Sequence, residues 1–329
     1  MTADANGNAY LAGGTLSNNL PANGLQTTRK GNSIYKSNDK AATWTATGAG
    51  INSVTFNGFV FDPITPANVY ASTLQGLYKS TDGGNQWQHL NSGFFSTYAI
   101  AINPVTPATL YAGTDFGVFK STDSGTTWQL KNNGFQSFVP TIVVHLQTPQ
   151  TVFAGTRDGM FKSVYGAETW TALNNGMLFP QYGTQPPPVN KVLMDRTNPQ
   201  ILYAATQRGF FKTIDGGANW TKAQSGLPVS GSDPNISNAF ADPSNVNTLY
   251  ALLSTPTAGL YKTTDGGANW NLATANIPVN VAGQTVTFPL GTIAIDPASS
   301  ATIYATSSGN GVFKSTDGGQ SWAQKIPVF

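Results

Sequence analysis

The sequence predicts an all-β fold, a seven-bladed β-propeller with four antiparallel strands per blade. Three observations carry this. The seven tryptophans of the chain, Trp44, Trp87, Trp128, Trp170, Trp220, Trp270 and Trp322, are spaced 43, 41, 42, 50, 50 and 52 residues apart, and a period of this length marks a propeller or solenoid. Each tryptophan closes a version of one motif, Ser/Thr-x-Asp-x-Gly-x-x-Trp, as in "KSTDGGNQW" over 79–87. Each unit also holds short apolar, β-branched and aromatic stretches bounded by Gly, Pro or Asn, the pattern of strands. Glu168 is the single Glu against 14 Asp, and a chain so poor in Glu lacks the usual helix surface.

Within a unit the elements follow in a fixed order. The first strand usually ends in Asp-Pro or Asn-Pro, as in "FVFDP", "IAINP", "AFADP" and "IAIDP". The proline falls just past the strand, where no ladder N–H is needed. The second strand reads "NVYAST", "TLYAGT" or "ILYAAT"; the third, "GLYKS" or "GVFKS", ends in a lysine and a hydroxyl residue; the tryptophan opens the fourth, as in "TWQLKN". One such unit cannot bury both its faces, whereas units packed around an axis do so and close a ring. The expected blades of this single domain, 1–329, are 1–47, 48–91, 92–132, 133–174, 175–224, 225–274 and 275–329. The innermost strand of the first blade is a stub, "MTAD", aligned with the end of "TIAID". The termini are therefore expected to meet between the first and last blades, with no long strand exchange.

A Ser, an Asp, two Gly and a Trp in one loop suit an active site or a fastener. Repetition favours the fastener, since Asp39, Asp82, Asp123, Asp215, Asp265 and Asp317 cannot all be catalytic. In the fourth copy Tyr165 replaces Asp, with Glu168 nearby. The aspartate is expected to accept backbone N–H bonds a few residues on, a glycine to supply a positive φ, and the tryptophan to cover the hairpin while its indole N–H finds a partner. The lysines at 36, 79, 120, 162, 212, 262 and 314 recur at one third-strand position. Each is expected to lay its stem on an aromatic and reach a carbonyl or the motif with its head, rather than to form a ring of functional charge.

These repeats resemble the Asp-box, or bacterial neuraminidase, repeats of sialidases, sortilin-type receptors, xyloglucan-degrading glycosidases, photosystem II assembly factors and many secreted bacterial proteins. The resemblance covers the whole chain and implies the propeller class, with Asp boxes on the rim away from the ligand face. It does not imply one function. The first unit, "DANGNAYLAGG", also looks like another bacterial propeller repeat of large secreted or surface proteins.

Composition narrows the function classes. Charged residues make up 10% of the chain, against about 25% in an average protein, which suits a bacterial extracellular surface. Net charge is +2 and the lysines and arginines form no run, so nucleic acid is not an expected partner. No apolar run approaches the length of a membrane span, and membrane insertion is not expected. "MTADANGNAY" lacks the basic start and apolar stretch of a signal peptide; an exported chain is expected to be a mature or excised piece of a larger multidomain surface protein. With no Cys and only His89 and His145, disulfides, thiolate chemistry and a histidine metal site are not expected, and neither is any cofactor or metal.

The loops opposite the Asp boxes are where the units differ. The candidate ligand-binding residues there are Phe95, Asp115, Phe138, Arg157, Asp158, Phe179, Tyr182 and Arg208. Aromatics on a polar face suit stacking on sugar rings or peptide, and equally suit covering the loops beneath them. Asp115, Arg157, Asp158 and Arg208 fall in successive units, as a mutual ion-pair network or as a polar ligand site. A sialidase needs an arginine cluster and a Tyr–Glu pair that this chain lacks. The resemblance leaves two functions beside the leading one. The leading function is a non-catalytic extracellular or cell-surface module that binds carbohydrate or protein. The alternatives are a glycoside hydrolase of the xyloglucanase type using Asp115 and Asp158, and a scaffold like the assembly factors.

Overall fold

The computed structural model describes residues 2–3, 9–13, 33–37, 39, 43, 45–51, 55–90, 93, 96–178, 183, 185–229, 233–255, 257–274, 277–281, 284–288, 290–307 and 311–326. Units two to seven each fold into a four-stranded antiparallel sheet ordered from the axis outward along the chain. The innermost strands are Phe56–Phe61, Thr97–Ile102, Thr141–Val144, Val189–Met194, Asn235–Ala241 and Thr292–Asp296. The second strands are Val69–Thr73, Leu110–Thr114, Val152–Thr156, Leu202–Thr206, Leu249–Thr255 and Ser299–Ser307; the third, Gly76–Ser80, Gly117–Ser121, Gly159–Ser163, Gly209–Thr213, Gly259–Thr263 and Gly311–Ser315. The outermost are short, from Thr171–Ala172 to Asn271–Thr274 and Ala323–Ile326. Phe56 pairs with Thr73 and Phe61 with Val69. This register puts the start of each innermost strand and the second-to-third turn at one end of the blade. The Asp-box turn lies at the other.

The second strand is the buried middle of the blade; all five residues of Val69–Thr73, Leu110–Thr114, Val152–Thr156 and Leu202–Thr206 are buried. Its aromatic lies under the recurring lysine, with Lys79 over Tyr70, Lys162 over Phe153, Lys212 over Tyr203, Lys262 over Tyr250 and Lys314 over Tyr304 at 5.3–5.4 Å. The ammonium then crosses to the next unit. Lys162 Nζ donates to Gly216 O at 3.3 Å and Lys212 Nζ to Gly266 O at 3.0 Å. The lysines are thus inter-blade latches on the neighbouring Asp box.

The expected count of seven blades is corrected to six. Unit one does form a small four-stranded sheet, Thr2–Ala3, Ala9–Gly13, Ser33–Ser37 and Thr45–Ala46, lodged between units seven and two. Thr2–Ala3 lies against Thr292–Asp296, Ile34 packs with Val69, Ala71 and Tyr78, and Lys36 Nζ donates to Gly83 O at 3.0 Å. However, Thr2 pairs with Tyr10 and Ala3 with Ala9. Among the described residues Leu11, Ala12 and Gly13 pair only outward, with Tyr35, Ile34 and Ser33. The innermost strands of the six blades hold four to seven residues, whereas this one holds two. Among the described residues it has no counterpart of the half that lines the axis on the loop face in the other units. The sheet is a rudiment that closes the ring, not a blade equivalent to the others. Outside the four-stranded sheets stands the stretch before Thr292. It contains a hairpin, Ile277–Val281 with Gln284–Phe288, whose alternating Val and Thr favour paired strands.

The Asp box is a closed turn. Ser80 Oγ donates to Asp82 Oδ1 at 2.8 Å, the backbone N–H groups of Asn85 and Gln86 donate to the same oxygen at 2.9 Å, and Trp87 Nε1 donates to Gly84 O at 2.9 Å. Gly83 and Gly84 have φ of 70° and 88°, which suits glycine. The pattern returns at Asp39, Asp123, Asp215, Asp265 and Asp317; Trp44 lies outside the described residues. Hydrogen bonds from Thr127, Asn219 and Thr263 lead those that hold Asp123, Asp215 and Asp265 down at about 2. Unit four departs from the motif. Its Glu168 accepts Lys120 at 3.4 Å and Lys131 at 2.6 Å, both from unit three. There an ion pair replaces the lysine-to-carbonyl latch.

The residue ending each innermost strand fastens the next turn. Asp62 Oδ1 accepts the N–H groups of Ile64 and Thr65, and Asn103 Oδ1 those of Val105 and Thr106. In unit four the place belongs to His145, whose Nδ1 accepts from Gln147 N at 3.3 Å and Thr148 N at 3.1 Å. Only an unprotonated Nδ1 accepts there. Burial first, and the charge of Lys162 second, hold the His145 pKa below its ordinary value. With the folded pKa depressed, this turn contributes fully above the unfolded value of about 6.5 and its contribution is lost as pH falls through the lower folded value. His145→Asn restores the acceptor used at Asn103. It is expected to flatten the fall in melting temperature between about pH 7 and about pH 5; an unchanged slope in that variant would assign the fall to other groups.

Candidate functional site

Three of the predicted site residues, Phe95, Phe179 and Tyr182, lie outside the described residues. Asp115, Phe138, Arg157 and Asp158 come together on the loop face around a residue the sequence reading missed, Tyr98. Thr114 pairs with Thr97 and Gly113 with Ala99, so Tyr98 is the extra residue of a β-bulge, and a bulge re-aims its side chain. Tyr98 Oη donates to Asp115 Oδ2 at 3.4 Å. Its ring meets Phe138 edge-on, with centroids 4.5 Å apart and planes at 80°. Val139 N donates to Thr114 O at 3.0 Å and Arg157 N to Phe138 O at 3.2 Å. These bonds join the unit-three bulge, its second-to-third turn, the loop to unit four and the turn of unit four.

Phe116, next to Asp115 in that turn, is 61% exposed. Asp115, Arg157 and Asp158 are exposed too. Burial, followed by effects of Ser96 and Asp115, leaves the Tyr98 hydroxyl with a raised pKa, so it stays a neutral donor at ordinary pH. The ion pairs among the described residues are Lys120–Glu168, Lys131–Glu168 and Lys222–Asp233. None of these three involves Asp115, Arg157 or Asp158. Arg208 stands apart from Tyr98, on the unit-five turn, with Nη1 donating to Gln185 O at 3.4 Å.

The sequence signal for Tyr98 lay in the bulge position. Asn57, Asn190 and Ser237 occupy the matching bulges of units two, five and six. Their polar groups are used in fastening: Asn57 Nδ2 donates to Thr97 O at 2.7 Å, Asn190 Nδ2 to Ile236 O at 2.8 Å, and Ser237 Oγ to Leu252 O at 3.0 Å. Among these four bulges, unit three alone carries an aromatic.

The fold has many solved counterparts. A GH74 xyloglucanase from Xanthomonas campestris superposes with a TM-score of 0.72 at 16% identity, over 97% of this chain and 56% of that one. The GH74 enzyme of Niastella koreensis gives 0.62 at 23%, over 85% and 46%. YCF48 bound to D1 peptide gives 0.56 at 12%, over 98% and 87%. The chain thus spans about half the length of these GH74 structures, and at such identities the likeness shows the fold alone. No curated protein matches the sequence significantly. The propeller expected from the Asp-box resemblance holds, while membership of the Asp-box family itself is not confirmed. Residues 49–290, from the start of unit two to the start of unit seven, match the DUF6242 β-propeller domain. The chain belongs to that family.

Proposed function

We propose that this chain is a non-catalytic binding propeller of an extracellular or cell-surface protein, and that it holds its ligand on the loop face opposite the Asp boxes. The observation that carries this reading is the contrast between the two ends of the blades. At the box end the side chains repeat and are consumed by fastening, unit four included. At the loop end, the junction of units three and four gathers aromatics and exposed charges with no described ion pairs. An exposed Arg and a half-buried Tyr beside apolar rings are the composition of a recognition surface. Peptide binding by YCF48, and the glycoside hydrolases among the structural counterparts, give precedent for both kinds of ligand on this fold.

The experiment is a glycan and peptide array probed with the wild type, with the double variant Asp115→Ala/Arg157→Ala, and with Asp82→Ala. The double variant is expected to lose the binding of the wild type. Asp82→Ala is expected to keep it while losing about 1–2 kcal/mol of stability with the turn hydrogen bonds. Loss of binding in Asp82→Ala alone would move the site to the box end. Release of reducing ends from a polysaccharide, abolished by Asp115→Asn or Asp158→Asn at unchanged melting temperature, would favour the hydrolase reading, in which the second carboxylate has to stand within reach of the first.

A further inference from the structure

We infer that the unit-three/unit-four junction is a subsite for a neutral sugar ring, with Phe116, Tyr98 and Phe138 as its apolar contacts and Asp115 and Arg157 as its polar ones. This rests on the loop-face reading above and names the ligand class. Three features point to it. First, Phe116 stays 61% exposed at the tip of a two-residue turn. Its neighbour Asp115 is tied down by Tyr98 Oη at 3.4 Å. An aromatic face beside a positioned carboxylate presents one surface for C–H groups and one acceptor for hydroxyls, the two halves of a pyranose.

Second, the carboxylate is only half used. Tyr98 engages Oδ2, and no further hydrogen bond or ion pair of Asp115 is described, so its other oxygen stays open to a ligand hydroxyl. Third, the charges are mixed. Asp115 and Asp158 would repel an anionic partner, and Arg157 would repel a cationic one. A polyol meets neither penalty: its hydroxyls donate to the carboxylates and accept from the guanidinium. The whole chain carries a net charge of only +2, so no long-range field favours a charged ligand over a neutral one.

The test is calorimetric titration of the full chain with neutral hexasaccharides of glucose, mannose, galactose and xylose, and with a tryptic peptide mixture as the alternative ligand. At least one sugar is expected to bind. Phe116→Ala is expected to weaken it about tenfold through loss of the stacking surface, at unchanged melting temperature because the side chain is exposed. Tyr98→Phe keeps the ring and loses the hold on Asp115, and is expected to weaken binding less than Tyr98→Ala. If no hexasaccharide binds while peptides bind and Phe116→Ala abolishes that binding, the sugar assignment falls and the loop-face reading stands. A sugar that binds with equal strength to the wild type, Phe116→Ala and Tyr98→Ala overturns this subsite. If its binding is lost instead in Asp82→Ala, the loop-face reading fails as well.

Discussion

Trp220→Ala is expected to cost about 3–5 kcal/mol in denaturant unfolding, and Trp322→Ala clearly less, although the two residues hold the same place in their repeats. Trp220 is 2% exposed and packs with Phe153 and Met160 of unit four, Met177 of the intervening loop, and Val192, Leu202 and Phe211 of unit five. Its Nε1 donates at 3.0 Å to Leu173 O of the preceding unit, as Trp170 Nε1 does to Lys131 O and Trp270 Nε1 to Ala223 O. Alanine therefore opens a cavity at a blade interface and leaves a partly buried carbonyl without its donor. Trp322 is only half-buried and donates within its own box, to Gly319 O at 3.1 Å. It packs only from the edge against the cluster of Tyr250, Leu260, Ile303 and Phe313, so its loss opens a smaller cavity and breaks no bond to the preceding unit. Equal losses in the two variants would show that the tryptophans act on their own hairpins alone.

Two kinds of tryptophan within one motif mark the limit of what the sequence displays. The strand order, the box and the role of the lysines were legible because each recurs, and recurrence separates scaffold from accident. The indole partner was not, since it depends on how far the preceding loop reaches. The blade count failed on register. Seven tryptophans give seven outer hairpins, but a blade also needs a full axis-lining strand, and among the described residues of unit one only Thr2 and Ala3 pair in that place, with Tyr10 and Ala9. Of the candidate site, Asp115, Phe138, Arg157 and Asp158 were found as odd residues in a regular frame. Tyr98 escaped because "STYAIAI" reads as an ordinary strand, and only the pairing of Thr97 and Ala99 with adjacent positions exposes the extra residue.

Gly176→Ala is expected to be among the costliest single-methyl changes, about 2–4 kcal/mol from left-handed strain together with a lost bond between the loop that enters unit five and its tryptophan. Gly176 has φ of 86°, and a Cβ there would overlap the carbonyl oxygen of Trp220. The same overlap recurs at Gly50 on Trp87, Gly134 on Trp170 and Gly226 on Trp270. Each of these glycines follows the residue whose carbonyl accepts the tryptophan N–H, as Asn175 O accepts Trp220 N at 2.9 Å. The obstacle is backbone, so it cannot swing aside as a side chain would; the loop must withdraw and the bond must break. Gly267→Ala separates strain from overlap. Its φ of 89° is nearly the same, yet the nearest atom to an added Cβ is Ala223 Cβ at 3.5 Å, an ordinary contact. That variant is expected to show the left-handed penalty alone, about 1–2 kcal/mol. A cost at Gly176 no larger than at Gly267 would mean that the loop yields freely. The blades would then be held by their buried faces and lysine latches, without help from this seam.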